Sequence, residues 1–216
     1  MSRATRVIEI LKKNSNKFKD TSMANASLFK DPFRVLISCI ISLRTKDEVT
    51  REASKRLFAM AKNVHEMSKL DVKEIEKLIY PAGFYKTKAK RIKEICKVLI
   101  EKYNCKVPCN VDELMKFKGV GRKTACVTMV YGFRRVECIP IDIHCHRIPN
   151  RLGWINTKNP IETEKELMKI IPKKYWLDFN DLFVSFGQNI CMPVSPYCSR
   201  CPVRDYCKRI GVRRSR

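Results

Sequence analysis

Apolar residues along the chain recur at helical spacing and strand-like alternation is nearly absent, so the pattern predicts an all-α protein. Residues 33–43 read Phe-Arg-Val-Leu-Ile-Ser-Cys-Ile-Ile-Ser-Leu, apolar almost all round, which predicts a central helix buried on every side. Asp31-Pro32 marks its start, a capping acid ahead of proline at the first helical position. Thr45 with Glu48 is a capping-box pattern and predicts the next helix, to about Met60. Asp71 with Glu74 and Asn110 with Glu113 predict two further starts, and Pro160 opens a helix that stops before Pro172. Over residues 87–103, Ala89, Ile92, Cys96 and Leu99 share one face. Lys86, Lys90, Lys93 and Lys97 share the other, where they are expected to meet solvent or phosphates.

The 216 residues suit one compact unit or two small lobes, and 44% hydrophobic content is enough to bury a core. No apolar run approaches the ~18 residues of a membrane span. The first eleven residues mix Arg3, Arg6 and Glu9 with apolar side chains and lack the apolar block of a signal peptide. A cytoplasmic, monomeric chain with no membrane partner is therefore expected. Charge narrows the picture further. Lys and Arg number 45 against 22 Asp and Glu, a formal charge of +23, which favours a polyanionic partner and most simply nucleic acid. The alternative is solvated lysine on outer helix faces.

Two stretches carry candidate chemistry. Residues 111–118 predict a short helix, followed by Gly119-Val120-Gly121 and a second helix from Arg122 to about Tyr131. Two glycines around one apolar residue permit positive φ and a very tight reversal. Backbone amides at the start of the second helix then point outward and suit a DNA phosphate of any sequence, with Arg122 and Lys123 adding charge. The alternative is a helix corner that packs and binds nothing. Near the C-terminus Cys191, Cys198, Cys201 and Cys207 are separated by six, two and five residues, among Pro193, Pro196 and Pro202. Such a loop suits one metal centre, and the spacing leaves both an iron–sulfur cluster and zinc open. The other seven of the eleven cysteines lie apart, and Cys105 and Cys109 are expected to be free thiols.

Gly119-Val-Gly-Arg-Lys-Thr-Ala125, then Ile141-Asp-Ile-His144, then the six-two-five cysteine spacing together resemble the endonuclease III family of helix-hairpin-helix DNA glycosylases. The resemblance spans residues 31–207. It implies a [4Fe–4S] cluster on Cys191, Cys198, Cys201 and Cys207, mainly structural in role. It also implies two helical lobes with double-stranded DNA bound between them. One is a helical barrel of residues 25–135 with the helix-hairpin-helix. The other joins residues 1–24 to 136–216 and carries the cluster loop at 186–210. By position, Lys123 matches the family's nucleophile and Asp142 its catalytic aspartate. Read without the family, Lys123 is a phosphate contact and Asp142 a helix cap. Arg44 and Phe84 fall where the family inserts wedge residues into the duplex, usually Gln and Leu, and Lys118 replaces a frequent proline. The implied activity is that of a bifunctional glycosylase and AP lyase acting on oxidised pyrimidines or abasic sites. The rivals are a uracil- or mismatch-specific glycosylase and a non-catalytic DNA-binding protein with a structural metal.

Overall fold

The computed structural model describes residues 2–18 and 31–216, and among these there is no strand. The all-α expectation holds. In chain order the helices are α1 (Arg3–Asn14), α2 (Pro32–Ser42), α3 (Asp47–Met60), α4 (Val64–Lys69), α5 (Val72–Ile79) and α6 (Tyr85–Tyr103). Then come α7 (Val111–Met115), α8 (Arg122–Val127), α9 (Ile143–Leu152), α10 (Pro160–Ile170) and α11 (Trp176–Asn189). None of these helices is long and apolar enough to cross a membrane. The chain divides into two compact units, Ser22–Glu137 on the one hand and Met1–Thr21 with Cys138–Arg216 on the other. The expected lobe boundary near residue 25 lies outside the described residues.

In the first unit α2 is the central helix, as its pattern predicts. Residues 35–41 are buried without a break, and α2 packs on α3, α6 and α8. Each large apolar side chain so buried stabilises the fold by roughly 1.5–3 kcal/mol. Asp31 starts the helix by accepting from the amides of Phe33 at 2.9 Å and Arg34 at 3.4 Å. The Asp71–Glu74 capping box forms in both directions, at 2.8 and 2.6 Å. At α7 only half a box forms. Asn110 accepts from Asp112 and Glu113, while the Glu113 carboxylate turns to Tyr103 and Lys116.

Two expectations are corrected. Thr45 does not cap α3, whose N-cap is Lys46 with no side-chain bond. The Thr45 hydroxyl instead accepts from Lys88 at 2.7 Å and from the Gly83 amide at 3.0 Å, partners the local pattern cannot reveal. On α6, Ala89, Ile92, Cys96 and Leu99 are buried as expected. Lys93, however, turns back and donates to the carbonyls of Ser68 and Leu70, both at 2.6 Å, at the end of α4.

In the second unit α9 packs on α10 and α11, and α1 on α11. Phe179 and Phe183 stack at 4.1 Å on α11, with Trp154 edge-on to Phe183. Lys12 on α1 pairs with Asp178 at 2.7 Å, and Tyr175 donates to Glu9 at 2.7 Å. Pro160 opens α10, as the sequence predicts, with Asn159 as its cap.

Candidate nucleic-acid and metal sites

The hairpin is built as the glycines suggest, with one difference. Gly119 has φ +87°, but Gly121 has φ −93° and ψ 175°, an extended geometry open to any residue. Only Gly119 is needed for its backbone. Buried Val120 pins the turn from beneath, its amide bonded to the Phe117 carbonyl at 3.0 Å. A Cβ on Gly119 would stand 2.9 Å from Cδ of Arg91, so that α6 side chain lies across the turn. Gly121 is the N-cap of α8 and offers no side chain to its first amides, and a Cβ there would meet nothing within 4 Å. The turn is thus open to an approaching anion on its Gly121 side.

Lys123 stands exposed in the first turn of α8, with Arg122 half-buried before it. Burial pushes the Cys39 thiol up to about 12, against the lowering effect of the Lys123 charge, and α8 packs on central helix α2. The α8 helix continues as a π turn over Thr128–Gly132 beside α2. There a Cβ on Gly132 would lie 2.7 Å from Pro32 Cα.

The structure brings Arg44 and Phe84 together from separate loops. The Arg44 guanidinium lies 5.6 Å from the centre of the Phe84 ring, and Phe84 is 63% exposed. Both hold left-handed backbone, at φ 53° and 58°. An exposed aromatic with a cation beside it can stack on bases.

In the other unit Asp142 is the N-cap of α9. Its Oδ1 accepts from the amides of His144 at 2.9 Å and Cys145 at 2.8 Å. That fixes the carboxylate at the helix start, with Ile143 beside it 71% exposed. The His144 ring packs where any Cβ on Gly187 would collide. Arg147, which the sequence reading did not single out, donates to the Cys191 carbonyl at 2.8 Å and lies 3.1 Å from His144 Nδ1. Its burial holds the guanidinium below its usual range.

Cys191, Cys198, Cys201 and Cys207 line one cavity, with Arg151, Phe186 and Ile190 among its walls. Burial raises Cys191 and Cys207 and pushes Cys201 up to about 11, each further raised by neighbouring thiols of the set. One buried and three half-buried thiols lining a single cavity fit a centre that takes thiolates. Donors for anionic sulfur are already present. Arg151 Nη1 lies 3.3 Å from Cys191 Sγ, and the Arg209 amide 3.3 Å from Cys207 Sγ. Cys105 and Cys109 carry free thiols, as expected, and Cys105 Sγ lies 3.2 Å from His65 Nε2.

Residues 37–173 match the family model described as HhH-GPD superfamily base excision DNA repair protein. Endonuclease III of Thermotoga maritima is 42% identical over 200 residues, 93% of this chain and 89% of that protein. Endonuclease III-like protein 1 of Mus musculus is 39% identical, over 85% of this chain and 62% of its own length. Among solved structures, a non-covalent endonuclease III–DNA complex superposes with TM-score 0.84 at 33% identity, over 97% of this chain and 96% of that one. A thermostable thymine-DNA glycosylase superposes with TM-score 0.84 at 25% identity, over 95% of both chains.

Proposed function

Because the chain belongs to the endonuclease III family of HhH-GPD base excision repair proteins and is a DNA glycosylase, we propose that it releases oxidised pyrimidines from duplex DNA and then cleaves the strand as an AP lyase. The observation that carries this reading is Lys123. It is an exposed amine in the first helical turn after the Gly119–Gly121 reversal, on a helix that packs against the central helix.

In this reading the Gly121 side of the hairpin receives a backbone phosphate and fixes register without reading sequence. The damaged nucleotide leaves the stack, and Arg44 and Phe84 occupy the gap. The unprotonated Lys123 Nζ attacks C1′ of the sugar, and the C1′–N bond breaks with its electron pair leaving on the base. Asp142, anchored at the start of α9, stabilises the positive charge developing on the sugar and assists deprotonation of the attacking amine. Loss of a proton from Nζ and opening of the ring give the imine. Removal of a C2′ proton then expels the 3′ phosphate, which nicks the strand.

The family implies a metal cluster. We assign it as [4Fe–4S], held by Cys191, Cys198, Cys201 and Cys207, with a structural role. Four cysteines lining one cavity supply the thiolate set that such a cluster needs.

Structural likeness to the thymine-DNA glycosylase supports a second reading, in which the pocket selects mismatched thymine or uracil. A panel of duplexes bearing oxidised pyrimidine, uracil or mismatched thymine separates the two, with base release and strand cleavage scored independently. Base release confined to mismatches, without strand cleavage, refutes the lyase reading.

A further inference from the structure

Arg44 and Phe84 sit on different loops, yet one buried side chain reaches both. Lys88 on α6 is 2% exposed. Its Nζ donates to the Ile41 carbonyl and to Thr45 Oγ1, each at 2.7 Å. The same hydroxyl accepts from the Gly83 amide at 3.0 Å. Ile41 belongs to the last turn of α2, Thr45 follows Arg44, and Gly83 precedes Phe84. One ammonium and one hydroxyl therefore link the end of α2, the Arg44 loop and the Phe84 loop. The two backbones also touch, since a Cβ on Gly83 would lie 2.5 Å from the Arg44 carbonyl oxygen.

This arrangement is costly. An ammonium in a core position loses hydration that an apolar side chain of similar length would not miss. Burial, with the charge of Arg91 nearby, lowers Lys88 to about 8. Arg44 and Phe84 add left-handed backbone, a strained conformation for non-glycine residues that persists only where the surroundings over-determine it. The bonds from Lys88 and Thr45 supply that constraint on both loops at once.

We propose that Lys88 is a positioning residue, which through Thr45 sets Arg44 and Phe84 as one rigid two-pronged wedge for the gap left by the extruded base. The proposal rests on the reading of Arg44 and Phe84 as wedge residues. It assigns Lys88 no contact with DNA. Its role is to keep the two prongs at a fixed separation, so that opening the duplex does not also require ordering two loops.

The test places 2-aminopurine opposite a tetrahydrofuran abasic analogue and reads the fluorescence rise as that orphan base unstacks. Base release is measured in parallel from a paired lesion and from one in a pre-opened bulge. Lys88→Met and Thr45→Val are each expected to cut the fluorescence response, and to slow release from the paired duplex about tenfold, the worth of a hydrogen bond to a charged group. On the bulge the deficit shrinks to within about threefold, because the wedge is not required there. Thr45→Ser keeps the hydroxyl and restores both readouts. If Lys88→Met does not fold, the Thr45→Val and Thr45→Ser pair decides alone. A wild-type fluorescence response in the Lys88 and Thr45 variants, or an equal deficit on paired and bulged substrates, overturns the proposal. Arg44→Ala and Phe84→Ala tell the two failures apart. If these two respond as wild type, the wedge reading has failed. If they lose the response while the Lys88 and Thr45 variants keep it, only the tether has failed.

Discussion

Replacing each hairpin glycine by alanine separates folding from phosphate binding at neighbouring positions. At Gly119 the backbone sits at φ +87°, where an L side chain costs about 1–2 kcal/mol. The added Cβ also displaces the Arg91 side chain, 2.9 Å away at Cδ and 3.0 Å at Nε. A chain of this size loses about 2–4 °C of Tm per kcal/mol, so Gly119→Ala is expected to melt roughly 2–8 °C lower. At Gly121 the backbone is extended and the Cβ meets open space, so stability changes by less than about 1 kcal/mol, the usual preference for glycine over alanine at an N-cap. In the role proposed for the hairpin, the methyl group there instead stands where a phosphate would approach. Affinity for duplex is expected to fall about tenfold, for damaged and undamaged DNA alike, because one charge-assisted amide contact is lost. The assays are thermal unfolding and duplex titration at fixed salt. Adding Arg91→Ala closes a double-mutant cycle, in which the part of the Gly119→Ala loss that disappears is the steric part. Unchanged Tm in Gly119→Ala, or a Gly121→Ala loss confined to damaged duplex, would refute the reasoning.

Borohydride added during turnover should link protein to DNA, and Lys123→Ala should abolish that link while duplex affinity stays within about threefold, since many other cations contribute to binding. A persistent link would make another amine the nucleophile. Asp142→Asn keeps an oxygen to cap α9, so the fold should hold while base release slows by ~10²-fold, and cleavage of a pre-formed abasic site less. Equal rates in variant and wild type would reduce Asp142 to its cap. Anaerobically purified protein should be brown and carry about four irons, and Cys198→Ala should lose them together with protease resistance of the C-terminal loop. A colourless zinc protein would overturn the assignment. The Lys88 ammonium is held at about 8 in the folded chain against 10.5 for an ordinary lysine. Between those values the unfolded chain binds more protons, so stability should rise with pH across that window. Denaturant unfolding should show the gap between wild type and Lys88→Met moving in favour of wild type from pH 8 to 10, and a flat difference would remove the buried cation.

What could be read from sequence was what neighbouring residues decide among themselves. Asp31 before Pro32, and Asp71 with Glu74, act within one helical turn, and both caps form as their spacing requires. Four cysteines within seventeen residues likewise close one cavity, because the short prolyl loop leaves them few other arrangements. The misreadings fall where a distant partner outbids the local one. Thr45 has the spacing of a capping box, but its hydroxyl is taken by an ammonium 43 residues away and an amide 38 away. Lys93 looks like its exposed neighbours on α6, yet two carbonyls at the end of α4 hold it. Gly119 and Gly121 look alike in the motif, and only the path of the turn makes one of them indispensable for its φ.

Lys88 shows how such a residue can be found from sequence. It lies four residues before Ile92 and eleven before Leu99, which is the buried register of α6, while Lys86, Lys90 and Lys97 keep to the exposed face. A lysine in phase with a core stripe has two options: to reach solvent along its stem, or to find acceptors inside. Lys88, 2% exposed, takes the second, and its acceptors lie beside Arg44 and Phe84. Position in the apolar register, rather than residue type, therefore marks Lys88 out from the exposed Lys86, Lys90 and Lys97 of the same helix.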